Sequence, residues 1–303
     1  MLKLESLLQQ SQAFLKKTKV VAITQKNIGT LADFIKTPLT LAGIEDFAGQ
    51  APLFFLLIDG LNFCFWHPDA HKKFAYYNNS GSVALGYGIK DALKNNPEIF
   101  EPDHLIKNAP TVFKTIIKNA DGELLLPQER VKILREIGQF LKKCDLKKVI
   151  AKFQSQDIDK IARFIAKNLP YTFKDEQTKF GITIPFYKKL RLLLSDWMML
   201  SGLKFKNLDK LLVYADYKLP QVFLNYGVIK IPEKYLAQLK NHEIVPKNSE
   251  LEIGLRAASV VASSYLKGLT NFSYPELDFQ LWLCSRKLPA DAIPYHRTLN
   301  RFY

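Results

Sequence analysis

The sequence predicts a mainly α-helical fold with a small β element. Apolar residues recur at helical spacing along most of the 303 residues, and segments with the alternating pattern of a strand are few and short. The chain also lacks strand–helix–strand alternation, a G-x-G-x-x-G motif and a phosphate-binding P-loop, which argues against a dinucleotide-binding fold. We expect one domain over residues 1–303, with residues 54–90 as a candidate small lobe.

The predicted helices follow from apolar periodicity, and two of them carry a signal at their N-terminus. Ser249 with Glu252 and Ser273 with Glu276 have the spacing of capping boxes, in which each side chain bonds the backbone of the other residue. Such signals predict where a helix begins more sharply than periodicity does. The predicted helices cover residues 3–17, 29–36, 82–95, 128–142, 156–168, 186–201, 233–241, 250–267 and 276–287.

Two apolar segments predict the β element. Residues 54–66, FFLLIDGLNFCFW, form an aromatic run interrupted by Gly60. This pattern is typical of a strand, a bend and a second short strand. Residues 211–214 form a second, shorter candidate strand.

Charge and cysteine content narrow the class of protein only slightly. The net charge is +14, from 43 Lys and Arg against 29 Asp and Glu, which favours a phosphate-bearing ligand without choosing its size. Solvated lysines on helix faces explain the same balance. The three cysteines, Cys64, Cys144 and Cys284, form no C-x-x-C pair, so we expect free buried thiols in a reducing compartment. We expect no metal site and no cofactor.

The N-terminal segment and the most apolar stretch do not predict a membrane protein. The first residues, MLKLESLLQQ, include charged and polar side chains and resemble an amphipathic helix more than a signal peptide. Residues 53–58 are far too few to span a bilayer. We therefore expect a cytoplasmic protein without a membrane partner.

Asp216 is the first candidate for chemistry. It follows the apolar residues 211–214 and precedes a helix that begins near Leu219. A carboxylate at the mouth of a core is partly dehydrated, which favours a role as a base. An Asp in front of a helix also caps its free N–H groups, and this interpretation is the commoner one.

Two further segments carry polar side chains at helical or strand spacing. Lys188, Arg191 and Ser195 share one face of a predicted helix, which suits either an anion site or a solvated basic face. Asp59 lies close to the aromatic residues Phe63, Phe65 and Trp66 in the sequence, an arrangement that suits a flat cationic heterocycle or simple strand packing.

The last residues, from Pro294 to Tyr303, are rich in aromatic, His and Arg side chains. A chain end of this composition is expected to dock on the body of the protein instead of fraying. His296 and Arg297 could then hold a phosphate, although a lone histidine is more often structural.

Short motifs along the chain, taken in order, resemble those of the queuosine salvage protein family, the queuosine 5′-phosphate N-glycosylase/hydrolases. One such motif would be weak evidence, whereas the ordered set over nearly the whole chain is specific. The motifs are LNFCFW at 61–66, FYKK at 186–189 with SDW at 195–197, YADYKLPQ at 214–221, LEIGLRAAS at 251–259, DFQLW at 278–282 and PYHRT at 294–298.

The resemblance implies a mostly helical fold similar to that of helix-hairpin-helix DNA glycosylases. It implies hydrolysis of the bond between queuine and ribose, preferably in the 5′-monophosphate. Asp216 matches the active-site Asp of the family's ADYR motif, and Lys188 matches the Lys of its FYK motif. The chain departs from the family pattern at Lys218, where the motif has Arg, and at Gly254, where it has an acidic residue.

Roles for the other candidates follow from the chemistry that the resemblance implies. Cleavage of a nucleoside gives the ribose oxocarbenium character, which a carboxylate below the anomeric carbon stabilises. We assign that carboxylate to Asp216 and place Lys188 beside it. The substrate-binding candidates are Asp59, Glu252 and Asp278 for the base, Phe63, Trp66 and Trp282 for stacking, and Arg256, His296 and Arg297 for the 5′-phosphate.

Two alternatives stay open on the sequence. A glycosylase that acts on a base within tRNA or DNA would use the same fold and the positive charge. A non-catalytic nucleotide- or tRNA-binding protein would use the charge for affinity alone. The favoured interpretation is an enzyme for a small nucleotide that has no stable nucleic-acid partner.

Overall fold

The computed structural model describes residues 3–40 and 45–303, and most of them are helical. This confirms the predicted fold class. The bounds predicted for two helices, residues 82–95 and 250–267, agree with the observed ones. The helices are α1 Ser6–Leu15, α2 Ile28–Ile35, α3 Pro52–Gly60, α4 Ser82–Asn95, α5 Pro102–Lys107, α6 Ala109–Ile116, α7 Pro127–Lys143, α8 Leu146–Phe153, α9 Ile158–Asn168, α10 Pro170–Phe173, α11 Lys188–Met199, α12 Lys218–Asn225, α13 Glu233–Lys240, α14 Glu250–Lys267 and α15 Tyr274–Arg286.

The strands form separate two-stranded antiparallel pairs, β1 with β6, β2 with β3 and β4 with β5. Short 3₁₀ turns cover Glu45–Phe47, Ala70–Lys72, Pro97–Phe100 and Leu208–Leu211. The small β element is thus present, but it is dispersed along the chain. The strands are β1 Ala22–Ile23, β2 Ala75–Tyr76, β3 Asn79–Ser80, β4 Glu176–Lys179, β5 Ile182–Pro185 and β6 Ile229–Lys230.

The strand prediction for residues 54–66 is wrong, because their first half forms helix α3. Pro52 occupies the first turn, where its missing N–H does no harm. Every residue from Phe54 to Gly60 is buried, and a helix that is buried all round shows no amphipathic period. A Cβ added to Gly60 would lie 3.2 Å from Ile137, so the small residue lets α3 approach α7 closely.

The strand prediction for residues 211–214 is also wrong. The segment is buried, but its backbone bonds side chains instead of a neighbouring strand. The carbonyl of Leu211 accepts a hydrogen bond from Arg191, and the amide of Tyr214 donates one to Asp278. Buried backbone groups need partners of some kind, and here side chains supply them.

The chain divides into two compact units. The described residues of unit 1 lie in 3–40, Asp175–Arg191 and Asn207–Leu299. Helix α14 runs through the core of this unit, with residues buried along nearly its whole length. Helix α1 packs against it, and at Gly254 an added Cβ would lie only 2.7 Å from Val21. The acidic residue of the family motif would therefore not fit at this position.

The described residues of unit 2 lie in 45–174, Leu192–Lys206 and Asn300–Tyr303. Helix α3 packs there against α4 and α7, and α5 packs along α7. The predictions of a single domain and of a DNA glycosylase-like fold stay predictions. No helix in the described part of either unit combines the length and the apolar character needed to cross a bilayer.

Candidate active site

Asp216 lies half-buried at the start of helix α12 in unit 1. Its Oδ1 accepts hydrogen bonds from the backbone N–H groups of Lys218, at 2.6 Å, and Leu219, at 3.3 Å. The carboxylate therefore caps the first turn, as the commoner interpretation of the sequence predicts. Both bonds use Oδ1, so capping leaves Oδ2 for another role.

The two residues before Asp216 are fixed by buried side chains. The amide of Tyr214 donates to Oδ1 of Asp278 at 2.7 Å. The carbonyl of Ala215 accepts a hydrogen bond from Nε of Arg256 at 2.9 Å. Asp216 thus follows two consecutive residues whose backbone groups are tied to different helices, α15 and α14.

Arg256 is fully buried, and every nitrogen of its guanidinium donates a hydrogen bond. Nη1 and Nη2 bind the two carboxylate oxygens of Asp175, at 3.3 and 2.5 Å, and Nη1 also binds Oε1 of Gln177 at 3.0 Å. The guanidinium carbon lies 3.8 Å from the centre of the Phe186 ring. A buried arginine is held most firmly by a two-oxygen carboxylate contact of this kind.

Glu252 extends the same buried network. Its carboxylate accepts from Nε2 of Gln177, at 2.6 Å, and from the amide of Asn248, at 2.9 Å, and lies 3.8 Å from Nη1 of Arg256. The predicted capping box is half present, since Ser249 caps the amide of Glu252 while the glutamate side chain turns inward. The other predicted capping box, at the start of α15, is complete.

Lys188 begins helix α11 and is 5% exposed. It follows Tyr187, which has a left-handed backbone (φ 47°) and whose amide donates to the carbonyl of Asp175. Burial and the hydrogen bond to Glu176 raise the pKa of the Tyr187 hydroxyl well above its usual range. A buried ammonium is unfavourable unless its surroundings compensate the charge, so such a lysine is a candidate functional group.

A chain of contacts within unit 1 joins the two predicted catalytic residues. The backbone of Tyr187, next to Lys188, is bonded to Asp175. Asp175 binds Arg256, which holds the carbonyl next to Asp216. Residues far apart in the sequence are therefore connected by hydrogen bonds through one buried ion pair.

Residues 294–299 of the C-terminal segment dock on the body of unit 1. The amide of Val245 donates to the carbonyl of Arg297, and Oγ1 of Thr298 donates to the carbonyl of Val245. His296 is buried, and its pKa is lowered to about 3, first by burial and then by the positive charge of Arg256. The imidazole is therefore neutral at pH 7, whereas Arg297 is partly exposed and charged.

An aromatic and cationic cluster lies directly beside Asp216 along the chain. The rings of Tyr217 and Tyr295 are 4.9 Å apart, and the ammonium of Lys218 lies 4.3 Å from the centre of the Tyr295 ring. Lys218 thus keeps the positive charge of the family motif's arginine. Tyr217 and Tyr295 are not among the predicted site residues, although both lie inside family motifs, at 214–221 and 294–298.

Helix α15 carries Asp278 and Trp282 one turn apart, and such residues share a helix face. Asp278 is 8% exposed, and the partly buried Trp282 stacks on Phe279 with Arg286 over its ring. Of these, the structure gives Asp278 the clearest task, which is to hold the amide of Tyr214.

The aromatic segment 61–66 lies in unit 2 and is organised by Arg130, which no sequence motif indicated. Arg130 is fully buried and donates to the carbonyls of Leu61, Leu125 and, at 2.5 Å, Phe63. Its guanidinium carbon lies 4.1 Å from the centre of the Phe63 ring. The segment is therefore shaped by a residue more than sixty positions away in the sequence.

Asp59, Phe63 and Trp66 are all buried in this unit, at 1%, 1% and 2% exposure. Cys64 lies between the two aromatic residues with a left-handed backbone (φ 52°), and burial raises the pKa of its thiol to about 11. These candidates therefore form part of the interior of unit 2, while Asp216 and Lys188 belong to unit 1.

A protein-family model matches most of the length of the chain. The family model described as queuosine salvage protein matches residues 46–303. The match spans both described units and includes every residue predicted for the site.

Curated relatives agree with this match and carry the name queuosine 5′-phosphate N-glycosylase/hydrolase. One from Dictyostelium discoideum is 29% identical over 99% of this chain and 92% of its own length. One from Sphaerobacter thermophilus is 30% identical over 82% of this chain and 80% of its own length. One from Mus musculus is 26% identical over 82% of this chain and 80% of its own length.

Proposed function

Because the chain belongs to the queuosine salvage protein family, we propose that it hydrolyses the N-glycosidic bond of queuosine 5′-monophosphate and releases queuine. The match over residues 46–303 carries this proposal. The names of the relatives support the same reaction and substrate. The product would then serve the modification of tRNA.

Asp216 is the residue we assign to the chemical step. As the bond to the base breaks, positive charge develops on the ribose, and a nearby carboxylate stabilises it. The same group can orient or deprotonate the attacking water. One oxygen of Asp216 holds helix α12 and fixes the direction of the carboxylate, so the other can face the sugar.

Lys188 is assigned to the same site as a source of positive charge. Queuine is a 7-deazapurine, so carbon replaces the ring nitrogen at which protonation would assist departure of the base. The departing base must therefore be stabilised as an anion by hydrogen bonds and positive charge. A lysine held in a nearly buried position, as Lys188 is, supplies charge with little screening by water.

The observed contacts divide the remaining candidates into two sets. Glu252, Arg256 and Asp278 are engaged with protein partners in the interior of unit 1, which favours a supporting role. Arg297 and Lys218 are partly exposed cations and are the better candidates for the 5′-phosphate. His296 is neutral at pH 7 and could contribute only a neutral hydrogen bond.

Recognition of the base is assigned to aromatic and acidic side chains. Trp282 is partly exposed and offers a ring. The assignment of Asp59, Phe63 and Trp66 to the base stays a prediction, because all three are buried in unit 2. The three free cysteines are compatible with a reducing compartment, and we propose the cytoplasm. We further propose that no nucleic acid is a stable partner.

The direct test incubates the purified protein with queuosine 5′-monophosphate, with queuosine and with queuosine-containing tRNA, and measures free queuine by chromatography. The proposal predicts release from the monophosphate, little or none from tRNA, and a weak dependence on salt. Release from tRNA alone, falling steeply with salt, would instead identify an enzyme that acts on nucleic acid. Binding without release from any of the three would identify a non-catalytic protein.

A further inference from the structure

We infer that Asp278 and Arg256 are positioning residues, which fix the backbone of Asp216 and thereby place its carboxylate for the reaction. This inference rests on the proposed function, in which Asp216 carries the chemistry. It assigns to these two side chains a task different from contact with the substrate.

The backbone before Asp216 follows an irregular path. Residues 212–215 are buried and belong to no helix or strand. Leu212 has a left-handed backbone (φ 50°), which a leucine adopts only when its surroundings hold it there. The position of Asp216 is thus not set by an element that ends immediately before it, and other groups must fix it.

The two fixing groups act on adjacent residues from different helices. Asp278 on α15 accepts from the amide of Tyr214, and Arg256 on α14 donates to the carbonyl of Ala215. Two bonds of this kind restrain both the translation of the segment and its rotation about its own axis. A single bond would leave that rotation free.

Both fixing groups are themselves held in place. Asp175 and Gln177 restrain the guanidinium of Arg256 from one side, and the ring of Phe186 restrains it from another. Asp278 lies on a helix whose first turn is closed by the capping box of Ser273 and Glu276. The geometry is therefore prepared before any substrate binds, which is the condition for efficient electrostatic stabilisation.

The test compares Asp278→Ala with Asp278→Asn. Alanine removes the acceptor for the Tyr214 amide, while asparagine keeps an oxygen acceptor and removes only the charge. We expect Asp278→Ala to lower kcat about 10²-fold, the scale of an ångström-sized displacement, with little change in KM. Asp278→Asn should restore most of kcat. Hydrogen exchange of a fragment that covers residues 214–219 should be faster in the alanine variant and near wild type in the asparagine variant.

Gln280→Ala is the matched control. Gln280 lies on the same helix, is similarly buried and holds the backbone of Leu39 instead of Tyr214. Its substitution should leave both kcat and the exchange of residues 214–219 unchanged. Arg256→Lys should behave like Asp278→Ala, because one ammonium cannot bind Asp175 and the Ala215 carbonyl as a guanidinium does.

Two results would overturn the inference. One is a clear rise in KM that is equally large in Asp278→Ala and Asp278→Asn, because loss of a direct charge contact with the substrate would then explain both. The other is exchange of residues 214–219 that stays at the wild-type level in Asp278→Ala. Failure of the proposed function is recognised separately, from wild-type protein that releases no queuine, and the exchange comparison still tests the placement of the segment.

Discussion

Two buried arginines organise two different segments of the molecule. In unit 1 Arg256 fixes the residue before Asp216 and is paired with the carboxylate of Asp175. In unit 2 Arg130 holds the segment 61–66 mainly through backbone carbonyls and the face of Phe63. The guanidinium of Arg256 binds both carboxylate oxygens of Asp175, and that of Arg130 donates to carbonyls and lies against the ring of Phe63.

This difference suits the tasks proposed for the two segments. A full ion pair in a dry interior fixes direction strongly, because each carboxylate oxygen binds a separate N–H group. That is useful next to a group that must face one carbon atom of a ribose. Carbonyl and ring contacts shape the largely buried segment 61–66 of unit 2, where no group is assigned to face a reacting atom.

The largest expected effect on stability is that of Arg256→Met. Removing one partner of a buried ion pair leaves the other charge uncompensated, and such changes destabilise by about 3–5 kcal/mol. Urea unfolding of the wild type and the variant measures this difference. The double substitution Arg256→Met with Asp175→Leu should recover part of the loss, because the charge of Asp175 is then absent while that of Glu252 stays buried. A double variant no more stable than Arg256→Met would remove the ion pair from the explanation.

A loss of comparable size is expected for Arg130→Met. The variant loses hydrogen bonds from a charged group to the carbonyls of Leu61, Phe63 and Leu125. Each such bond is worth about 1.5–3 kcal/mol, and methionine offsets part of the loss by filling space beside Phe63. The same unfolding measurement applies. A variant as stable as the wild type would show that these contacts of Arg130 do not stabilise the fold.

The smallest expected effect is a pH-dependent change in stability that involves His296 in unit 1. Burial, with the charge of Arg256, lowers the pKa of His296 from 6.5 to about 3 in the folded protein. Above pH 6.5 both folded and unfolded chains keep this histidine neutral, so its contribution to stability is fully present. As the pH falls from 6.5 toward 3 only the unfolded chain takes up the proton, and roughly 2 kcal/mol is lost by pH 5.

His296→Gln isolates this contribution. Free energies of unfolding at pH 7 and pH 5 should differ by roughly 2 kcal/mol less in the variant than in the wild type. Equal differences in the two proteins would show that His296 does not govern the acid sensitivity.

Local signals in the sequence predicted much of the helical framework. The bounds of α4 and α14 and the capping box of Ser273 and Glu276 agree with the structure, because each depends on residues within a few positions of one another. The capping bond of Asp216 was predictable for the same reason. Helix α3 was missed because a helix buried on every side has no periodic pattern.

Local sequence patterns could not predict which side chains support the candidate site. Arg256 and Asp175 are 81 residues apart in the sequence, and Arg130 and Phe63 are 67 apart. Hairpin β4–β5, which carries Gln177 into the network, is too polar to be predicted as a buried strand pair. Only the fold brings these residues together. The sequence therefore indicated Asp216 and Lys188 as candidates but not the network of side chains around them.

The most direct test of the role of Asp216 is the single-turnover rate of queuine release by Asp216→Asn. Asparagine caps a helix as well as aspartate does, so helix α12 and the fold should be preserved while the negative charge is lost. We expect a rate about 10²–10⁴-fold below that of the wild type, the scale of a positioned acid–base group. A variant that releases queuine at the wild-type rate would contradict this role and leave Asp216 as a helix cap alone.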